Sequence, residues 1–483
     1  MYLGIDIGTS GVKTLLIDEQ QQIIAAAHSE LQVSRPHSGW SEQNPADWIT
    51  ATANTLDELK QTHPAELAAV QGIGLSGQMH GATLIDKQDQ VLRPCMLWND
   101  TRSHAEAAAL DADPLFREVS GNIVFPGFTA PKVSWVQQHE PDVFAQVHKV
   151  LLPKDFVRLW LSGEYVSDMS DAAGTSWLDV GKRDWSAELL EASGMSIEQM
   201  PALAEGTAVT GQLREELRQR WGMTQAPVIA GGAGDNAASA CGMGTIQGGS
   251  AFVSLGTSGV LFAANDRYLP NPASAVHAFC HAIPDTWHQM GVILSATDSL
   301  NWYAGISGKS AAELTTALGE DLHAPSGVTF LPYLAGERTP HNDAAIRGAF
   351  IGMSHNSDQN SLTQAVLEGV AFAIRDNLAA LESAGTRLER ITAVGGGSRS
   401  VYWLKAMATA LNLPVDIPAD GDFGGAFGAA RLALIAASGA DPLAVCSAPE
   451  TQRTIAPDAT KREAYEQAYE RYRALYPAIK NLS

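Results

Sequence analysis

Two aspartates interrupt or follow predicted buried strands, where a carboxylate can meet a ligand. Asp6 lies within the apolar run Leu3–Ile7, and Asp235 follows a glycine turn at 231–234. Asp235 could cap the helix predicted to start there, or it could accept the proton of an alcohol as a general base. Asp6 could cap a turn, or support Mg²⁺ beside the β- and γ-phosphates of a nucleotide. We expect both aspartates to be catalytic.

The tetrapeptide Gly-Thr-Ser-Gly occurs at residues 8–11 and again at 256–259, each time between two strand-like runs. Glycine lets the backbone approach a phosphate closely, and peptide N–H groups and hydroxyls can then bind its oxygens. A third glycine turn, residues 395–398, follows a strand-like run; it suits a nucleotide, or it is a plain strand–helix loop. The phosphate contacts predicted in the two tetrapeptides are Gly8, Thr9, Ser10, Gly256, Thr257 and Ser258.

Alternating strand-like and helix-like stretches around these residues indicate an α/β fold. Three strand-like runs open the chain, and Pro45–Lys60 is predicted to be a helix with Asn44 as its N-cap. The repeated tetrapeptide stands near the start of each half, which predicts a duplicated architecture. The two turns would then face each other across a cleft, and the glycine-rich segment 242–249 would be the hinge.

Charge and composition exclude several classes of function. The formal net charge is −21 over 483 residues, so phosphate repulsion argues against binding to nucleic acid or to an anionic membrane. Four scattered cysteines favour a reducing compartment over a disulfide framework. The longest apolar stretch, residues 426–440, carries Arg431 and is shorter than the roughly 18 apolar residues that a helix needs to span a membrane. Without a signal-peptide pattern, we expect a cytoplasmic protein.

Other familiar motifs are incomplete. The Gly-Lys-Ser at 308–310 lacks the upstream glycine of a Walker A loop. The glycines at 72, 74 and 77 match a dinucleotide fingerprint, but no apolar-periodic helix follows them. His277 and His281 have helical spacing, yet no second ligand pair accompanies them as a zinc site would need.

Longer segments resemble the FGGY carbohydrate kinases of the actin/hexokinase/Hsp70 superfamily, over essentially the whole chain. Residues 4–10 are similar to the family's first phosphate segment, Phe128–Trp135 to its first signature and residues 348–372 to its second. The resemblance implies two ribonuclease-H-like (actin-like ATPase) domains with a central cleft, 1–244 for sugar and 245–483 for nucleotide. The Phe-Gly-Gly-Tyr string itself is absent; residues 423–426 are Phe-Gly-Gly-Ala, and no role is assigned to them.

Within the family, residues 77–81 and 97–100 resemble the subgroup that transfers phosphate from ATP to D-xylulose, whereas glycerol kinases carry Arg-Glu where Met79-His80 stands. The resemblance implies ATP and Mg²⁺ as cofactors, Asp235 as the base and Asp6 as the metal support, acting through water. It implies that Met79, His80, Asp235 and Asn236 bind the sugar and that Thr257, Gly396 and Gly397 lie by the nucleotide.

Three alternatives stay open at this point. The enzyme could act on another sugar or polyol, such as ribulose, gluconate or glycerol. The chain could be an actin- or Hsp70-like ATPase with protein partners, or a dinucleotide-dependent oxidoreductase. Lys13 could reach the phosphates or remain a solvated lysine. A homodimer is a further expectation.

Overall fold

The structure is a computed structural model that describes residues 1–419 and 421–482. The first half of the chain forms a seven-stranded sheet in which Tyr2–Ile7 is central. That strand pairs antiparallel with Gly11–Ile17 and parallel with Gly72–Gly77. The strands in spatial order are Val209–Gln212, Val228–Ala230, Gly72–Gly77, Tyr2–Ile7, Gly11–Ile17 and Ile23–Glu30, with Ala233–Gly234 added beside Gly72–Gly77.

The second half forms another seven-stranded sheet around Ala251–Leu255. This strand pairs antiparallel with Gly259–Asn265 and parallel with Ile391–Val394. The strands in spatial order are His277–Cys280, Trp287–Ile293, Gly259–Asn265, Ala251–Leu255, Ile391–Val394, Val415–Pro418 and Thr451–Ile455.

The two sheets share one spatial pattern of strand pairing, as the repeated tetrapeptide predicts. Across each sheet, antiparallel strands lie on one side of the central strand, and two parallel strands and then an antiparallel edge strand lie on the other. Each tetrapeptide joins the two strands of the first hairpin, so Ile7 faces Val12 and Leu255 faces Gly259. The α/β fold class predicted from the sequence is confirmed.

Helices cover both sheets. In the first half they are Pro45–Thr62, Pro64–Ala68, His104–Asp111, Pro114–Ser120, Thr129–His139, Pro141–Phe144, Pro153–Ser162, Met169–Ala172, Ala187–Ala192, Glu215–Trp221 and Asp235–Met243. In the second half they are Thr297–Ser307, Ala311–Ala317, Gln359–Ser383, Val401–Leu411, Gly425–Ser438, Pro442–Val445 and Arg462–Ile479. No helix among the described residues combines the length and apolar character needed to span a membrane.

Short elements complete the two halves. The 3₁₀ helices are Ala173–Thr175, Ile197–Gln199, Pro272–Ser274 and Gly396–Arg399. The two-stranded pairs are Glu42–Gln43 with Cys95–Met96, Thr83–Ile85 with Lys149–Leu151, Val166–Asp168 with Ala202–Ala204, Leu178–Asp179 with Asp184–Trp185, and Thr329–Leu331 with Ala349–Ile351.

The helix Pro45–Thr62 follows the sequence signals closely. The Asn44 side chain accepts a hydrogen bond from the Ala46 N–H, and Pro45 occupies the first turn, where no N–H partner is needed. Trp48 and Leu56 on its inner face join Leu3, Ile5 and Ile7 of the central strand in one buried cluster. The odd-numbered side chains of that strand therefore face this helix, because side chains alternate between the faces of a sheet.

The opposite face of the first sheet packs against Gly425–Ser438, which we call the crossing helix because it comes from the second half of the chain. A Cβ at Gly4 or at Gly74 would overlap backbone atoms of this helix, and one at Gly72 would lie 2.7 Å from the Ala433 carbonyl oxygen. The glycines at 72, 74 and 77 thus lie in a strand rather than in a dinucleotide turn, and two of them let the crossing helix approach closely.

Candidate active site

Asp6 lies where the central strand meets the start of the crossing helix. Strand alternation places its side chain on the face of Gly4, which the crossing helix covers. A Cβ at Gly425, the first residue of that helix, would lie 3.0 Å from the Asp6 Cγ. A negative side chain is favourable there, because the peptide dipoles leave partial positive charge at a helix N-terminus.

One hydrogen bond and one nearby charge act on the Asp6 carboxylate. The Ser76 hydroxyl donates to its Oδ1 at 2.8 Å from the same face of the neighbouring parallel strand. Burial raises the pKa of Asp6, while the Ser76 hydrogen bond and the charge of Lys13 oppose that rise. Asp6 is thus a half-buried carboxyl with one oxygen held by a hydrogen bond, and no sequence pattern pointed to its partner Ser76.

Asp235 is the first residue of the helix Asp235–Met243, and Gly234 occupies the N-cap position. The carboxylate therefore does not cap the helix. Instead, its Oδ1 accepts the backbone N–H of Asn236 at 2.8 Å and the Asn236 side-chain amide at 2.9 Å. Burial, and then the negative charge of Asp6, raise the pKa of Asp235 to about 7. A carboxylate with this pKa suits proton transfer near neutral pH.

Met79 and His80 lie beside the start of this helix. A Cβ at Gly234 would lie 2.9 Å from the Met79 Cγ, and one at Gly174 would lie 3.1 Å from the Met79 Cε. Met79 thus packs against the residue before Asp235. Of the four residues predicted to bind sugar, the structure places Met79 beside the start of the helix that carries Asp235 and Asn236, and His80 is the next residue after Met79.

His80 has a defined tautomer. Its Nδ1 donates to the Gly174 carbonyl at 2.7 Å, and its ring stacks on Phe128 at a centroid distance of 4.5 Å. Burial, reinforced by the charges of Lys132 and Arg338, lowers the pKa of His80 to about 3. The imidazole is therefore neutral, and its Nε2 is left as an acceptor for a hydroxyl proton.

The backbone at His80 is also held in an unusual conformation. Its φ is +70°, in the left-handed region that non-glycine residues rarely adopt. Its carbonyl oxygen accepts the Thr129 hydroxyl at 3.1 Å and the Lys132 ammonium at 3.0 Å. Lys132 also donates to the Gly127 carbonyl. Thr129 and Lys132 belong to the segment Phe128–Trp135, which resembles a family signature. The sequence alone did not show that they hold the His80 carbonyl.

The first tetrapeptide turn is fixed by side chains that the sequence analysis did not identify. The Thr9 hydroxyl donates to the Gln78 side chain at 2.9 Å and accepts from the Trp98 indole at 3.0 Å. The Gln43 amide donates to the Thr9 carbonyl at 2.7 Å. In the second turn, the Thr257 carbonyl accepts the Ala296 N–H at 2.8 Å, and the Thr257 side chain is exposed.

A cavity of about 1250 Å³ connects the two halves. Asn236 and Ser239 of the first half line it, and Gly396 and Ser398 of the third glycine turn lie on its other side. Gly397 instead packs inward, since a Cβ there would lie 2.8 Å from the Leu255 side chain. The residues that line the cavity do not include those of the two tetrapeptide turns.

Lys13 has a partner that neither sequence interpretation expected. Its ammonium forms an ion pair with Asp422, a residue that lines the cavity from the second half. Both side chains are more than a third exposed, so water screens this ion pair.

The donor set suits a magnesium ion that arrives with a nucleotide. Mg²⁺ binds through one or two carboxylates and substrate phosphates and keeps several waters, and Asp6 would offer one such carboxylate. No three His, Cys, Asp or Glu side chains within 1–419 and 421–482 converge on a metal position. His277 lies in a buried strand, so its helical spacing with His281 is not realised.

Comparisons with known proteins agree with this architecture. The model of the N-terminal domain of the FGGY family of carbohydrate kinases matches residues 1–242, and that of its C-terminal domain matches residues 251–437. A xylulose kinase of Escherichia coli is 48% identical over 99% of both chains. A xylulose kinase of Klebsiella pneumoniae is 50% identical over 90% of both.

Solved structures are similar over the full chain. A xylulose kinase of Brucella ovis superimposes with a TM-score of 0.99 at 66% identity, covering 100% of both chains. One from Rhodospirillum rubrum gives 0.93 at 29% identity, covering 100% of this chain and 99% of that one. A Plasmodium falciparum glycerol kinase shares the fold at a TM-score of 0.88. The two sheets thus form the actin-like ATPase fold, and the chain belongs to the FGGY family of carbohydrate kinases.

Proposed function

We propose that this carbohydrate kinase transfers the γ-phosphoryl group of ATP to the C5 hydroxyl of D-xylulose, producing D-xylulose 5-phosphate and ADP. One observation carries the proposal: Asp235, with a pKa near 7, starts a helix whose next residue lines the cavity between the halves. Relatives 48% and 50% identical are xylulose kinases, which supports the choice of sugar.

Asp235 is the base of this mechanism. Its carboxylate orients the C5 hydroxyl and accepts its proton as the oxygen forms a bond to the γ-phosphorus, while the bond from phosphorus to the ADP oxygen breaks. The two hydrogen bonds from Asn236 leave the second carboxylate oxygen to face the sugar. His80 accepts a sugar hydroxyl proton at Nε2, and Met79 provides an apolar contact beside the reacting end.

Asp6 would hold Mg²⁺ through water at the other side of the transferred group. The ion supplies positive charge that neutralises the phosphate oxygens as the transfer proceeds. Gly8, Thr9, Ser10, Gly256, Thr257 and Ser258 would contact phosphates with backbone N–H groups and hydroxyls. Gly396 and Gly397 are proposed beside the nucleotide, and Gly396 lines the cavity.

We also propose a cytoplasmic location, because the four cysteines are buried and free, as in proteins of reducing compartments. The division into domains 1–244 and 245–483 and the homodimer remain predictions from the sequence.

Coupled ADP release across a panel of substrates tests the function. With Mg-ATP, D-xylulose should give the highest kcat/KM in a panel with D-ribulose, gluconate, glycerol and xylitol. Phosphate should be found on C5 of the product by NMR. A higher kcat/KM for gluconate or glycerol would contradict the proposed sugar, and ADP release that no sugar stimulates would favour an ATPase with protein partners.

A further inference from the structure

Arg338 reaches the sugar-binding region from the second half of the chain. Its neighbours are tied to the edge of the second sheet: the Thr339 N–H donates to the Val292 carbonyl at 3.1 Å. The Thr339 hydroxyl donates to the Ala275 carbonyl at 3.0 Å. The Glu337 side chain accepts the Leu294 N–H at 3.1 Å. The loop is therefore anchored on both sides of Arg338.

The guanidinium lies on an aromatic side chain of the first half, Phe125, which is connected to His80 through a second ring. It sits 4.8 Å from the ring centroid of Phe125, and that ring packs edge-on against Phe128, 5.5 Å away. Phe128 is the ring that stacks on His80. Arg338 is thus linked to His80 through two aromatic rings, and its charge contributes to the lowered pKa of His80.

Arg338 is half-buried, yet it lacks the acidic partner that a cation withdrawn from water normally has. Among residues 1–419 and 421–482 no carboxylate oxygen lies within the 4.0 Å ion-pair distance. Within the same residues, the one hydrogen bond of its guanidinium is long, 3.5 Å from Nη1 to the His277 Nε2. Burial raises the pKa of the adjacent Glu337 to about 8, and its Oε1 accepts the backbone N–H groups of Leu294 and Arg338 rather than the guanidinium.

We propose that Arg338 binds the keto end of the sugar, donating from its guanidinium to the C2 carbonyl oxygen and an adjacent hydroxyl. This inference rests on the proposed function. A five-carbon sugar with its C5 hydroxyl at Asp235 extends past Met79 and His80, which directs its C1–C2 end toward Arg338. Planar guanidinium donors match paired oxygen acceptors. Arg338 then selects a ketose over a polyol and links the second half to the bound sugar.

The test compares Arg338→Met and Arg338→Lys with Arg473→Met. Arg473 is exposed and also lies near an aromatic ring, 5.8 Å from the Tyr469 centroid, so the same chemical change is made away from the site. Steady-state kinetics with D-xylulose and ATP are measured together with equilibrium binding of D-xylulose and of the polyol xylitol. Thermal melting checks the fold of each variant.

Arg338→Met should raise the KM and Kd for D-xylulose on the order of 10- to 100-fold, the size of a hydrogen bond to a charged group. The ATP KM should change less than about threefold, and the affinity for xylitol should fall less than that for D-xylulose, because xylitol has the adjacent hydroxyl but no carbonyl. Arg338→Lys should show a smaller loss, because an ammonium keeps the charge but not the paired planar donors. Arg473→Met should match the wild type.

Equal losses for the ketose and the polyol, or no loss for either, would overturn the assignment of Arg338. If Arg338→Met has a lowered melting temperature but an unchanged sugar affinity in its folded fraction, Arg338 is only a contact between the halves and does not bind the sugar. If the wild-type enzyme itself does not phosphorylate D-xylulose, the proposed function fails first, and this inference falls with it.

Discussion

Asp235 and Asp6 are both half-buried carboxyl groups, but their neighbours suit them to different tasks. Asp235 has only the two N–H groups of Asn236 as donors within the described part of the chain, and the charge of Asp6 adds to the rise of its pKa. Asp6 has the Ser76 hydroxyl, the nearby charge of Lys13 and a helix start beside it. Asp235 is therefore suited to take up a proton, and Asp6 to remain beside positive charge.

Asp235→Asn should lower kcat about 10²- to 10⁴-fold, the contribution of a general base, because an amide cannot accept the hydroxyl proton. The sugar KM should change little, since the amide retains the side-chain shape. Asp358→Asn is the matched control, because Asp358 is an exposed helix cap far along the chain. Steady-state ADP release measures both; near-normal turnover by Asp235→Asn would disprove the assignment.

The pH dependence of kcat/KM follows from the same carboxyl. The base must be unprotonated, and the pKa of Asp235 is about 7 in the free enzyme. The value of kcat/KM should therefore fall about tenfold per unit as the pH drops below 7 and level off above it. A profile that stays flat between pH 5 and pH 7, measured with constant Mg-ATP, would show that another group accepts the proton.

Among the elements, the crossing helix has the closest packing with the first sheet. Gly4 and Gly74 lie where any side chain would overlap its backbone. Its own Gly425 leaves room for Asp6 and Ser76. The same helix therefore stabilises the first sheet and borders the Asp6 carboxylate.

Gly74→Ala should reduce the free energy of unfolding by at least ~1–3 kcal/mol, because the added methyl has no space between strand and helix. Gly305→Ala is the control: a methyl group added at this exposed helical glycine would meet no atoms within 4 Å. It should be neutral or stabilise by up to about 1 kcal/mol. Calorimetric melting measures both, and equal stability of the two variants would contradict this account of the packing.

At the scale of the whole molecule, the two halves interlock. One buried cluster contains Tyr2, Leu15 and Ile17 of the first sheet together with Phe427 and Ile435 of the crossing helix. The first half therefore completes its core with a segment from the second half. Lys13 and Asp422 add an ion pair between the halves.

A fragment of residues 1–244 should consequently be largely insoluble when expressed alone, because the face that meets the crossing helix would be exposed. Co-expression with residues 245–483 should recover a soluble complex that binds D-xylulose. Sedimentation and calorimetry report the state of each preparation. A monomeric 1–244 fragment with a cooperative melting transition would show that the crossing helix is dispensable for this core.

The sequence by itself determined the features that depend on neighbouring residues. Alternating apolar residues predicted the central strand, Asn44-Pro45 predicted a helix start, and the repeated tetrapeptide predicted two sheets of one design. The motif resemblance predicted the kinase family and brought Asp235 forward as the base. The local predictions succeeded because strands, caps and turns are specified by residues a few positions apart.

Only the tertiary structure decided which distant groups act on these residues. Ser76 lies 70 positions from Asp6, Lys13 pairs across 409 positions with Asp422, and Arg338, from the other half, lies near enough for its charge to lower the pKa of His80. Each contact depends on which sheet face a helix covers and on how the halves meet. That choice is made by the packing of the whole core, so no local pattern around Asp6, Lys13 or His80 encodes the partner.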